Sequence, residues 1–133
     1  MARYLGIDYG TKWVGVALSD EEGNFAFPNK VIEVKNEPQV IAELISIVAQ
    51  EKVTAIVIGL PLNFHFQETP QTRVVKEFGE RFRKDLEGMP ILFVNEVLST
   101  KEAERSPGVS KKMIDAASAA VLLQSFLDAH RQK

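Results

Sequence analysis

Three acidic residues stand at positions where solvent-exposed acids are uncommon. Asp8 lies in an alternating apolar segment, Glu96 follows the apolar run 91–94, and Asp115 precedes an alanine-rich stretch. A buried, isolated carboxylate is costly, so such acids need a cation or hydrogen-bond donors. Three converging carboxylates repel one another until a cation sits between them, and oxygen ligands suit Mg²⁺ or Mn²⁺. Two such ions, roughly 3.5–4 Å apart, can hold the attacking and leaving oxygens of a phosphodiester.

Each of these acids also has a simpler structural explanation. Asp8 can be a turn residue before Tyr9-Gly10, and Glu96 can be the point at which a strand reaches solvent. Asp115 can be an acid stabilised by the N-terminal end of a helix dipole. The three acids together favour the chemical interpretation, in which Asp8, Glu96 and Asp115 are both the catalytic residues and the metal ligands.

The elements that must position these acids follow from the period of the apolar residues. Strand-like alternation or continuous β-branched runs predict five strands, at residues 3–8, 12–19, 25–34, 53–58 and 91–94, the third broken near Pro28. We expect the first three strands to form an antiparallel meander. Residues 59–68 are predicted to be a loop because they contain glycine, proline and polar residues.

Helical spacing and capping residues predict the helices. One begins after Asn36, a second at Thr69-Pro70, a short third at Ser99 and a last one at Ser110. Ser106-Pro107-Gly108 separates the last two. The order βββαβαβα gives an α/β fold with a mixed five-stranded sheet flanked by helices, which is the order of a ribonuclease-H-like domain. The small residues after Asp115 would let the last helix approach the sheet closely.

The composition agrees with one domain over residues 1–133 and excludes several classes of protein. The chain has no cysteine, so it has no disulfide, thiolate zinc site or cysteine nucleophile. Its apolar runs are too short to span a membrane, and Met1-Ala2-Arg3 shows no signal peptide, so we expect an intracellular protein. A net charge of −2 argues against binding nucleic acid mainly by bulk positive charge, but it leaves a local basic patch open.

Four ordered motifs resemble those of the YqgF-type proteins, the pre-16S rRNA nucleases that are also described as Holliday-junction-resolvase-like. The first covers residues 6–12 (GIDYGTK), followed by Gly15-Val16-Ala17 and Ser19-Asp20. The second covers residues 59–63 (GLPLN) with Pro70-Gln71-Thr72-Arg73 and Phe78. The third is residues 95–100 (NEVLST), and the last helix matches at Lys112, Asp115, Ser118-Ala119, Leu122-Leu123 and Leu127. The resemblance spans about residues 3–128.

The resemblance implies a ribonuclease-H-like fold and a divalent-metal nuclease. It implies a cytoplasmic role in processing the 5′ end of 16S ribosomal RNA in bacteria, with precursor RNA and ribosomal particles as partners. It also carries the catalytic role onto Asp8, Glu96 and Asp115. The sequence departs from the family pattern at Trp13 and Val97, which replace arginines, and at Asn95, which replaces an aspartate. Since arginine binds phosphate bidentately, these changes would weaken binding of the scissile strand.

Several polar residues are candidates for contacts with the substrate: Lys12, Asn63, Arg73, Lys76, Lys111 and Lys112. The alternative for each cation is an ordinary solvated side chain. His65-Phe66 replaces an Asp-Gly of the family pattern, and it extends an unusual Phe64-His65-Phe66 loop. These aromatic residues could stack on unpaired bases, fold back onto the core or form a dimer contact. We expect Trp13 to cover the sheet, and Gly10 and Gly15 to provide tight backbone geometry or clearance over the site.

The sequence leaves three other functions open. One is a Holliday-junction resolvase acting on branched DNA, for which a dimer with two sites would be expected. Another is a nucleic-acid-binding module with little or no catalysis. The third is a sugar-kinase or actin-like ATPase, because Asp8-Tyr9-Gly10-Thr11 resembles a phosphate loop, although the chain is too short for the two lobes of an ATP cleft. No motif decides between RNA and DNA or between monomer and homodimer.

Overall fold

The elements follow one another in the predicted order. The computed structural model describes residues 2–97 and 111–131, with the backbone alone at residues 97, 111–114 and 131. The elements of that part are β1 (Tyr4–Tyr9), β2 (Trp13–Ser19), β3 (Ala26–Glu33), α1 (Glu37–Gln50), β4 (Ala55–Leu62), α2 (Pro70–Asp85), β5 (Ile91–Val97) and α3 (Lys111–Arg131). The short helix predicted at Ser99 and the break at Ser106-Pro107-Gly108 lie outside the described residues.

The strands form one mixed sheet in the order β3-β2-β1-β4-β5. β1, β2 and β3 are the predicted antiparallel meander, and β4 lies parallel to both β1 and β5. The predicted break near Pro28 takes the form of a β-bulge, because Val16 pairs with Lys30 and Ala17 pairs with Pro28. The α/β fold class and the five-stranded sheet are therefore confirmed.

One face of the sheet carries α1 and α2 over a large apolar core. Leu5 and Ile7 of β1 point to this face, together with alternate residues of β2 and β4. The core also contains Leu44 of α1 and the fully buried rings of Phe78 and Phe82 of α2. These large side chains supply most of the buried apolar area on this side.

The opposite face is covered by α3 and is built from smaller residues. Its core contains Ala17 and Val57 of the sheet and Ala119, Ala120 and Leu123 of the helix. A methyl group on Gly6 would come within 2.9 Å of the Leu123 Cβ, so the helix backbone lies close to β1. The small residues after Asp115 thus permit the close approach that the sequence predicts.

The predicted caps of α1 and α2 are present. The side chain of Asn36 accepts a hydrogen bond from the Gln39 backbone N–H, and Thr69 does the same with Thr72. On the outer face of α2, Lys76 pairs with Glu68, which precedes the helix. None of the described helices combines the length and the apolar character that crossing a membrane requires.

Two strands extend further than the sequence predicts. β4 continues through Gly59 to Leu62, where a loop was expected, and β5 continues through Asn95 and Glu96 to Val97. The two extensions pair with each other, whereas β4 pairs with β1 only as far as Ile58. Pro61 is tolerated because no ladder hydrogen bond to β1 is required there.

Candidate active site

Asp8 lies near the carboxyl end of β1, on the face covered by α3. It shares that face with Tyr4 and Gly6, and its register partner on β2 is Gly15. The side chain is half-buried. Because β1, β4 and β5 are parallel, their carboxyl ends meet at one edge of the sheet, and Asp8 lies at that edge.

Glu96 reaches the same region from β5. A methyl group on Gly59 would lie 2.5 Å from Glu96 Oε2, so the carboxylate extends over the bare backbone of β4. Gly59 follows Ile58, the register partner of Ile7, and therefore lies level with Asp8. The sequence predicts Glu96 just beyond a strand, but the structure places it within β5, with Pro61 as its register partner.

Asp115 lies in the second turn of α3, and the backbone of that turn lies against β2. A methyl group on Gly15 would lie 2.0 Å from the Asp115 carbonyl oxygen, well inside van der Waals contact. Since Gly15 is the register partner of Asp8, this contact places the helix beside the β1 carboxylate. Gly15 therefore provides the clearance that the sequence analysis expects.

The electrostatics link the three acids through Asp8. Burial, and in second place the charge of Asp115, raises the pKa of Asp8 to about 6. Burial, and in second place the charge of Asp8, raises the pKa of Glu96 to about 8. At neutral pH the Glu96 carboxyl therefore carries a proton in the metal-free protein, and a cation bound there would displace that proton.

The donors present suit a hard divalent cation. They are carboxylate oxygens in a partly desolvated site whose mutual repulsion a cation would relieve, and glycine leaves room above the strands at positions 15 and 59. Within the described residues, however, no group of three or more His, Asp or Glu side chains is arranged to hold a metal ion. The electrostatic coupling thus supports two pairs of acids, Asp8 with Asp115 and Asp8 with Glu96, and the set of three metal ligands stays a prediction.

A cavity of about 170 Å³ opens beside Asp115. It is lined by Asp115 and by the turn between β1 and β2, at Gly10, Thr11, Lys12 and Trp13. Lys12, a predicted phosphate contact, lines this cavity and is exposed. Trp13 is half-buried. Lys12 and Asp115 therefore line the same cavity.

The other predicted substrate contacts lie at the end of β4 and the start of α2. Arg73 is exposed in the first turn of α2. Lys76 is paired with Glu68, and the Asn63 side chain accepts hydrogen bonds from the backbone of its own loop. For Lys111 and Lys112 the structure gives the backbone at the start of α3, and their side chains lie outside the described part.

Two residues that position the site were not singled out from the sequence. Gly59 was assigned to a loop, although an isolated glycine after a β-branched run can mark a close approach in a strand. Gln124 of α3 donates a hydrogen bond to the Asn24 carbonyl (3.0 Å) and accepts one from the Ala26 N–H (2.8 Å). Gln124 thereby fixes α3 to the β2–β3 connection, and no local sequence signal indicates this contact.

Comparison with known proteins shows the family to which the chain belongs. The family model RuvX, described as Holliday junction resolvase, matches residues 2–129. The chain belongs to this family. A protein of Nitratidesulfovibrio vulgaris named "Putative pre-16S rRNA nuclease" is 40% identical over 133 residues, covering 95% of this chain and 93% of that protein. A Rickettsia felis protein of the same name is 39% identical over 139 residues, with 98% and 89% covered.

Solved structures of low sequence identity share the fold. The Thermus thermophilus RuvC in complex with a Holliday junction substrate matches with a TM-score of 0.63 at 11% identity, covering 98% of this chain and 96% of that one. The fowlpox virus Holliday junction resolvase matches with a TM-score of 0.61 at 14% identity, covering 96% and 99%. These structural matches confirm the ribonuclease-H-like fold.

Proposed function

We propose that this protein is a metal-dependent endonuclease that processes the 5′ end of precursor 16S ribosomal RNA in the cytoplasm. Membership of the RuvX family makes the chain a phosphodiester-hydrolysing enzyme. The single observation that carries the proposal is the position of Asp8, between Glu96 and Asp115 on one glycine-lined face. The relatives named as pre-16S rRNA nucleases support the choice of substrate.

In the proposed mechanism, Asp8, Glu96 and Asp115 would hold two ions of Mg²⁺ or Mn²⁺. Such ions supply an activated water and neutralise the charge that develops on the phosphodiester. The raised pKa of Glu96 favours the protonated form of this residue in the metal-free protein, and the residue would have to release that proton to hold a cation. Lys12, which lines a cavity with Asp115, would contact a phosphate, and the glycines keep methyl groups away from the reacting region.

The proposal is tested by cleavage assays with Mn²⁺ on two substrates, a precursor RNA with the 16S 5′ end and a four-way DNA junction. We expect the wild-type chain to cut the RNA, and Asp8→Asn to lose about 10²-fold or more of the rate because charge stabilisation at the reacting phosphate is lost. Asp85→Asn removes an exposed acid at the end of α2 and serves as the matched control. Equal cleavage by wild type and Asp8→Asn would show that the site is misassigned.

The same assay separates the two remaining functions. Cleavage of the junction alone, together with a dimer in solution, would establish the resolvase function that the family description and the shared fold suggest. Tight binding of either substrate without cleavage would establish a nucleic-acid-binding module. Co-sedimentation of the wild-type chain with precursor ribosomal particles would test the proposed partner.

A further inference from the structure

Two aromatic side chains project from the loop that follows β4. We call residues 63–67, between β4 and α2, the aromatic loop. The side chains of Phe64 and Phe66 in this loop are 74% and 71% exposed. The structure therefore rules out the alternative in which they fold back onto the core.

The aromatic loop is held by its own hydrogen bonds. The Asn63 side chain accepts from the backbone N–H groups of His65 (2.8 Å) and Gln67 (3.0 Å), and the Asn63 N–H donates to the Gln67 carbonyl (3.1 Å). A bridge between Leu62 and Glu68 closes the loop at its base. The two rings are thus presented on an ordered backbone, so little conformational entropy would be lost on binding a partner.

Phe66 adopts a backbone conformation that favours glycine. Its φ angle is +59°, in the left-handed region, which costs a residue with a Cβ atom free energy. No burial of the side chain compensates for this cost, since the ring is exposed. Strained residues that packing does not explain are concentrated at functional sites.

The aromatic loop lies next to the candidate active site. Phe64 follows Pro61 by three residues, and Pro61 is the register partner of Glu96. Three residues span at most about 10 Å, the length of about three stacked nucleotides. The hydroxyl of Thr72 donates a hydrogen bond to the Pro61 carbonyl, so the first turn of α2, with the exposed Arg73, meets the same end of β4.

We propose that Phe64 and Phe66 stack on unpaired bases of the RNA beside the cleaved phosphate, with Arg73 facing the adjoining backbone. This inference rests on the proposed nuclease function and names the part of the substrate that the site recognises. Stacking needs only the faces of two rings, and a cation beside them suits the phosphates of a single strand. The two exposed rings offer roughly 300 Å², well below the roughly 800 Å² per partner of a stable dimer.

The test compares aromatic with aliphatic side chains at the same positions. The double variant Phe64→Leu/Phe66→Leu keeps apolar area and the strained φ but removes the ring faces. Binding is measured by fluorescence anisotropy in EDTA, which prevents cleavage, with a single-stranded RNA containing 2-aminopurine and with the blunt duplex of the same strand. Phe25→Leu, which changes another exposed ring (57% exposed) beside β3, is the matched control.

We expect the double variant to lose roughly tenfold or more in affinity for the single strand, with unchanged affinity for the duplex. We expect the wild type to quench the fluorescence of 2-aminopurine and the double variant not to quench it. Unchanged single-strand affinity, or an equal loss for strand and duplex, would overturn the inference. A dimer in sedimentation experiments that Phe64→Ser dissociates would also overturn it, since the rings would then contact a second copy.

Failure of this inference is distinguishable from failure of the proposed function. If cleavage depends on Asp8 but the double variant binds like the wild type, only the stacking inference fails. If the wild type cleaves no nucleic acid and the double variant still loses single-strand affinity, the nuclease proposal fails and the stacking contact stands.

Discussion

The two faces of the sheet differ in the size and chemistry of their side chains. The face under α1 and α2 buries Leu5, Ile7, Phe78 and Phe82, all of them large and apolar. The face under α3 presents glycines, alanines and the three carboxylates, and the helix backbone touches the strands there. Apolar burial stabilises the first face, whereas the second holds desolvated acids whose repulsion opposes folding.

This difference suggests how a single five-stranded sheet accommodates a cluster of acids that is costly to bury. Each strand presents alternate side chains to the two faces of the sheet. The large core on one face therefore fixes the strands that carry Asp8 and Glu96 on the other. For example, Tyr9 follows Asp8 and turns to the other face, where its ring stacks on Phe78 at 4.0 Å. Stability and catalysis should therefore respond separately to substitutions on the two faces.

The largest effect on stability is expected from Phe82→Ala on the α1/α2 face. Removing this fully buried ring leaves a cavity and should lower the free energy of unfolding by about 3–5 kcal/mol. The rate per folded molecule should stay near that of the wild type, because no atom of the site is touched. Urea unfolding and single-turnover cleavage give the two quantities.

Val74→Ala, an exposed position of the same helix, is the control for Phe82→Ala and should change stability by less than about 0.5 kcal/mol. A large loss of rate in folded Phe82→Ala would contradict the separation of the two faces.

The next largest effect is expected from Gly15→Ala on the α3 face, compared with Gly79→Ala on the α1/α2 face. The new methyl at position 15 meets the Asp115 backbone, which cannot move aside, so we expect a loss of about 1–3 kcal/mol and most of the activity. At position 79 the methyl meets the end of the Phe93 ring, which can turn away, and alanine favours the helix. In thermal unfolding and cleavage assays, Gly79→Ala should have a melting temperature and a cleavage rate near those of the wild type. Equal losses of stability and activity in Gly15→Ala and Gly79→Ala would refute this account.

A smaller effect is expected on the pH dependence of the stability of the metal-free protein. The folded protein holds the Glu96 proton up to a pKa of about 8, against 4.5 without burial, so it binds more protons than the unfolded chain between these values. Stability should therefore fall as pH rises from about 4.5 to 8, by about 2 kcal/mol because partial exposure reduces the full shift. Glu96→Gln should flatten this part of the curve. Urea unfolding in EDTA at several pH values measures it, and an unchanged slope in Glu96→Gln would assign the proton to another group.

The smallest effect concerns the aromatic loop, which belongs to neither core. Phe66→Gly removes the strain of the left-handed backbone and should raise stability by about 0.5–1 kcal/mol. Phe64→Gly, with a similarly exposed ring and no positive φ, should be neutral or slightly destabilising. Differential scanning fluorimetry of the two variants makes the comparison, and a lower melting temperature for Phe66→Gly would argue that the ring stabilises the fold.

Local sequence signals predicted the order of elements because each signal acts within a few residues. Asn36 and Thr69 cap helices by hydrogen bonds to their own first turns, and both caps are where the sequence places them. The small residues after Asp115 likewise predicted the close approach of the last helix to the sheet.

Features that depend on a distant partner were missed. Gly59 and Pro61 indicate a loop on local grounds, but β5 pairs with this segment and keeps it extended. Glu96 was placed beyond its strand for the same reason. The register of two parallel strands is set by the whole sheet, so no short segment of sequence reveals it.

The hydrogen bonds of Gln124 to Asn24 and Ala26 set the position of α3 along its own axis. Asp115 lies nine residues earlier in that helix, a rise of about 13.5 Å. A slip of one helical turn would carry the Asp115 carboxylate about 5.4 Å out of place, farther than any metal–ligand bond. The alignment of the candidate active site is thus determined at the far end of the helix, by the amide of Gln124.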